Sequence, residues 1–186
     1  MVNALITSAR LKEPNFARFR TAALIACLIA GLAAGAVQAL ILPEARFADI
    51  KIQLDAQFSG TLNRSDLFVG AVLKNGGSML LIWLLAFAPL GEAAAAAVLF
   101  VRAMGYGFTL LVLRMANSGS RTIYPLSNLS IQGLMLLGAH FFLCLLNASF
   151  RKELKDGNLD FRQITEYVLI LLTALASAVL AAMLQR

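Results

Sequence analysis

Residues 21–42 run for 22 positions without one charged side chain. About 20 apolar residues in helical form cross the ~30 Å hydrocarbon core of a bilayer. Four further apolar runs follow, at about 76–90, 92–114, 126–149 and 166–184. Inside lipid the backbone must satisfy its own hydrogen bonds, which leaves helices or closed barrels. Five long runs of this kind predict an all-α, polytopic membrane helix bundle with about five transmembrane helices. Composition agrees: 60% of residues are hydrophobic and 14% charged, against roughly 45–50% and 25% in soluble domains. The net charge of +6 therefore speaks for topology and lipid contact, not for nucleic acid.

The chain divides into a basic N-terminal arm, residues 1–20, and one transmembrane domain, residues 21–184, with an extramembrane loop at 43–75. The first run is longer than the 7–15 residues of a cleavable signal core, so it is expected to be a retained signal anchor. The second run is short and meets the third at "APLGE", where Pro89 and Gly91 mark a tight turn. Runs two and three are read as a helical hairpin; a re-entrant hairpin is the alternative. Both cysteines, Cys27 and Cys144, lie within apolar runs, which argues for packing residues rather than a disulfide framework.

Orientation follows from basic residues near the span ends. With five spans, eight Lys and Arg fall on the N-terminal side and seven on the other. That balance decides little, so the short arm carrying Arg10, Lys12, Arg18 and Arg20 is the better guide. It predicts a multi-pass protein of the cell membrane, N-terminus in the cytoplasm and C-terminus outside.

Within the loop, "FADIKIQLDAQF" places Phe47, Ile50, Leu54 and Phe58 at helical spacings of three and four. Two readings stand. The helix packs on the bundle or lies at the headgroup level, or its apolar stripe docks a partner. A second helical piece over residues 65–74, capped by Ser65, leads into the second span.

Little in the chain points to catalysis. The single histidine, His140, lies in the fourth run without a G-x-S-x-G elbow. It reads better as a cross-helix hydrogen-bonding residue than as a catalytic base. One histidine and two scattered cysteines make no metal set, and "GYGF" lacks the context of a phosphate loop. No Asp or Glu lies deep in a span. No enzyme activity, cofactor or metal is expected.

Arg102 is the exception to an otherwise uncharged interior. It lies roughly 16 Å along its helix from the turn, near mid-membrane. Such residues usually face the bundle interior. The expected role is a tie between helices, to carbonyls, His140 or other polar side chains, with His140 of the fourth span as the favoured partner; an ion or lipid contact is the alternative. Small residues repeat as "GLAAG" in the first span, a pattern that lets helices approach closely.

An ordered set of residues across about 75 positions resembles the stage II sporulation protein M family of five-span bacterial membrane proteins. It comprises Lys74 and Asn75 entering the second span, then "IWLLAFAPLG" with Trp83 and Gly91. Arg102 follows, then Gly107, Phe108 and Thr109, and finally Pro125 and Asn128 at a proline-containing entry to the fourth span; Gly105, outside this set, is a further candidate packing residue of the third span. Departures exist. Ala103 stands where the family often has glycine. Leu126, Ser127 and Ser130 stand where broader relatives carry a His-Gly and a Glu, and Gln132 replaces a second proline. Activity tied to that His and Glu is not expected.

The resemblance implies a non-enzymatic scaffold in engulfment during sporulation. Its implied partners are cell-wall hydrolases resembling stage II sporulation proteins D and P, together with the lipid bilayer and a possible homo-oligomer. The alternative is a transporter or channel component, with Arg102 and the glycine-rich third span lining a path.

Overall fold

The computed structural model describes residues 2–58, 64–118 and 126–156, with a few positions between 165 and 179. The described elements are all helical: α1 (Val2–Leu40), α2 (Glu44–Phe58), α3 (Arg64–Leu84), a 3-10 turn (Leu85–Phe87), α4 (Gly91–Ser118) and α5 (Leu126–Asp156). Three stretches are long and apolar enough to cross a membrane: Arg18–Leu40, Phe68–Phe87 and Gly91–Asn117. Ile131–Asn147 is a shorter apolar stretch within α5. The protein is an all-α bundle built for a membrane. The expected fifth span, residues 166–184, lies almost wholly outside the described residues, as does Pro125.

Several boundaries differ from the sequence reading. α1 does not begin at the apolar run; the basic arm continues it, through Pro14, into one helix of 39 residues. α3 starts at Arg64, one residue before Ser65. The helix then passes through residues 68–87 as one apolar stretch. Lys74 and Asn75 therefore lie within this stretch, not at its entrance. A single lysine among so many apolar neighbours does not interrupt a helix, because its propensity is high.

The turn between α3 and α4 follows from its residues. Pro89 has no N–H to continue a helical ladder. The Ala88 N–H donates to Leu85 O and the Gly91 N–H to Ala88 O, both at 3.1 Å, which closes the turn tightly. Glu92 in the first turn of α4 meets Arg20 of α1 at 3.3 Å. Its charge also suits the positive end of the helix dipole.

α1 lies along α4, the most extensive helix pairing in the bundle. The seam is made by glycines. A Cβ on Gly31 would sit 2.6 Å from Phe100 O, and one on Gly35 would collide with the Met104 backbone. From the other side, a Cβ on Gly107 would collide with Leu32 O. The G-x-x-x-G of α1 is thus spent on α4, within the chain. The main core joins Leu24 of α1, Met79 and Ile82 of α3, Ala95 and Leu99 of α4, and Leu143 and Cys144 of α5.

α2 folds back on α4: Phe47 and Leu54 pack against Leu113 and Ala116. Of the two readings of this stripe, packing on the bundle is the one the structure shows for Phe47 and Leu54, which are thereby not free for a partner. Ile50 is half-buried and lines an open hollow of about 510 Å³ with Leu42, Arg46, Asp49, Ile52 and Gln53. The side chain of Phe58 lies outside the described ones.

Candidate functional site: a polar seam on α3

The α5 apolar run is broken on one face. Gln132, His140, Asn147 and Arg151 are 3%, 1%, 0% and 8% exposed. Spacings of eight, seven and four keep them on one side of a helix. Buried polar atoms need partners, and α3 supplies them for His140 and Asn147.

His140 is held at both ring nitrogens. Nε2 lies 2.7 Å from the Ser78 hydroxyl, and Nδ1 lies 2.6 Å from Leu136 O. A carbonyl only accepts, so Nδ1 carries a proton. In a neutral ring Nε2 is then the acceptor. The Ser78 hydroxyl has one proton and two acceptors in reach, Nε2 and Asn75 O at 2.8 Å. Asn75 enters the seam through its carbonyl. One turn further along, Asn147 Nδ2 donates to Ile82 O at 2.5 Å. Its Oδ1 has no partner among the described residues.

Arg102 also ends on α3. It donates to the carbonyl of Lys74. The expected Arg102–His140 tie is therefore not formed. Arg102 joins α4 to α3, and His140 joins α5 to α3. Arg102 takes the carbonyl alternative; α4 and α5 are direct neighbours, joined by Cys144 and Ala95, but the side chains of Arg102 and His140 both turn to α3. Helix α3 meets both, accepting from Arg102 at the Lys74 carbonyl and reaching His140 Nε2 with the Ser78 hydroxyl.

Lys74, Ser78 and Ile82 recur every four residues and so form one stripe on α3. Three helix-crossing hydrogen bonds terminate on that stripe, from Arg102, His140 and Asn147. A fourth crossing runs from Cys144 Sγ to Ala95 O at 3.4 Å, joining α5 to α4. The other residues singled out from sequence lie elsewhere. Gly107 belongs to the α1 seam. Gly105 is exposed and a Cβ there meets nothing within 4 Å; its carbonyl accepts from Thr109 at 2.8 Å. The side chain of Asn128 and all of Pro125 lie outside the description.

Sequence reasoning missed Ser78 and Asn147. A signal was present: polar residues seven or eight apart inside the fourth apolar run, and a serine four residues after a lysine in the second. Among the described residues no group of His, Cys, Asp and Glu is placed to hold a metal ion. No family model, curated protein or solved structure matches this chain.

Proposed function

We propose that the chain is a non-catalytic membrane scaffold. In the role it resembles, that of stage II sporulation protein M, it would hold peptidoglycan-degrading enzymes at the septal membrane during engulfment. The observation that favours scaffolding is how the interior polar side chains are used. Arg102, His140 and Asn147 each end on α3, which spends them on assembly. A solute path needs such atoms turned toward a lumen. The hydrolase partners rest on the residue pattern alone. The proposed orientation has the N-terminus in the cytoplasm and residues 43–75 outside. A detergent pull-down from native membranes, read by mass spectrometry, tests the reading. Co-purified cell-wall hydrolases support it. Solute flux in proteoliposomes of the purified chain, without hydrolase capture, replaces it with transport.

One contact favours a second reading. Ser78 Oγ at 2.7 Å from a histidine nitrogen, with the other nitrogen fixed by a carbonyl, is the arrangement of a serine nucleophile and its base. Ser78 is only 8% exposed, so a substrate would have to enter between helices. Fluorophosphonate labelling of the wild type, absent in Ser78→Ala, would establish this reading in place of a purely structural pair. No labelling in native membranes removes it.

A further inference from the structure

We propose that α3 hinges at Gly76 and Gly77, with Arg102 as the pin of the hinge. The proposal concerns the bundle alone and stands apart from the hydrolase partners. The two ends of α3 are held differently. On the C-terminal side Ser78, Met79 and Ile82 are buried, the last two in the main core, and Ile82 O accepts from Asn147. On the N-terminal side, no described side chain between residues 65 and 75 is buried. Val69 and Leu73 are exposed there. One part of the helix is thus fixed in the core, and the part before it lies along the bundle as an arm.

Between them lies "NGGS", which holds the one Gly-Gly pair of the chain. A glycine inside a helix weakens it relative to alanine. A Cβ at Gly77 meets nothing within 4 Å, so no neighbour requires that glycine. Weakness alone does not let a helix bend in lipid. Bending frees carbonyls, and hydrocarbon offers them no donor. Of the ladder bonds that span the pair, two run from the Ser78 and Met79 amides to Lys74 O and Asn75 O. Both carbonyls have a second donor in place: Arg102 at Lys74 O, and the Ser78 hydroxyl at Asn75 O, 2.8 Å away. Side chains that satisfy freed backbone groups make a break tolerable in a membrane helix, and serine back-bonding of this kind often bends one. The freed amides have 3-10 acceptors one residue further on.

Arg102 stands on α4, which the glycine seam fixes against α1. Its bond is to the last turn of the arm, beside the glycine pair, so it does not hold the far end of the arm in place. It keeps the Lys74 carbonyl satisfied while the arm swings. The Ser78 hydroxyl does the same for Asn75 from the fixed side. A mid-span arginine then has a use: it lowers the penalty for bending α3 in lipid. The core around Met79 and Ile82 stays closed as residues 64–75 move.

The test uses the full chain in phosphatidylcholine nanodiscs, in a background lacking Cys27 and Cys144. Spin labels at Val69→Cys and Val37→Cys report the arm against α1; labels at Leu81→Cys and Ile25→Cys report the fixed part. All four side chains are exposed. Electron-electron dipolar spectroscopy should give two distances for the arm pair and one for the fixed pair. Gly77→Ala should cut the second arm population roughly fivefold. Gly70→Ala makes the same change in open space within the arm and should leave that population as it is. Arg102→Leu should lower it, because the freed Lys74 carbonyl loses its alternative donor; an arginine that only ties two helices would do the reverse. Gly77→Ala enters open space and decides the hinge even if Arg102→Leu does not fold, which detergent melting checks. A single distance for the wild-type arm pair overturns the proposal. So does a second population unmoved by Gly77→Ala, lowered equally by Gly70→Ala, or enlarged by Arg102→Leu.

Discussion

Lys74 and Ser78 stand one turn apart on α3, and each receives a polar side chain from a different helix: Arg102 from α4 at the Lys74 carbonyl, His140 from α5 at the Ser78 hydroxyl. Helix α3 is thereby the common hydrogen-bonding partner of α4 and α5. It is also exposed on its other face, at Leu73, Leu80 and Leu84. One helix thus joins its neighbours by hydrogen bonds on one side and offers an apolar surface on the other.

The Ser78–His140 contact is expected to behave as a coupled pair. Ser78→Ala strands a buried ring nitrogen and should lower stability by ~1–3 kcal/mol. His140→Leu should cost a similar amount. The double variant should lose less than the sum, by ~0.5 kcal/mol or more, because both polar partners are gone. Thermal unfolding in detergent measures all three. Strict additivity would mean that the hydroxyl and the ring do not interact.

The glycines separate into two groups. Gly35→Ala and Gly107→Ala push a methyl into the backbone of the facing helix and should destabilise by ~1–3 kcal/mol through overpacking. Gly105→Ala enters open space and should leave melting unchanged or raise it slightly, since alanine is the better helix former. Equal effects at the three sites would contradict the α1–α4 seam.

Helix α2 should detach when its inner face is made polar. Phe47→Ser and Leu54→Ser each remove partly buried apolar surface from Leu113 and Ala116. Each change is expected to cost up to ~2 kcal/mol, short of the value for a fully buried side chain. Limited proteolysis of residues 43–75 should accelerate in the double variant, while Ile50→Ser at the open hollow leaves the rate near wild type.

The proposed orientation predicts distinct labelling of two introduced cysteines in a background lacking Cys27 and Cys144. Asn63→Cys should react with an impermeant maleimide in intact cells, and Asn158→Cys only after permeabilisation. The reverse pattern inverts the topology.

Sequence alone determined the helical, membrane-embedded character of this protein. Uninterrupted apolar length is a one-dimensional property, and a bilayer leaves such a run few conformations other than a helix. The turn at Pro89 and Gly91 was legible for the same local reason, as was the helical stripe of α2. What covers that stripe was not: Phe47 and Leu54 have the same spacing whether they meet a partner or α4. The pairings of Arg102 and His140 were equally out of reach. Rise per residue gives the height of a side chain along its own helix but not its azimuth toward a neighbour. Arg102 and Lys74 were each visible as charges. That Arg102 reaches the Lys74 carbonyl required the α3–α4 hairpin to fold. Only the tertiary structure sets which neighbour a buried side chain turns to, because that choice depends on side-chain volumes such as the bare glycines of the α1–α4 seam, summed over whole helix faces.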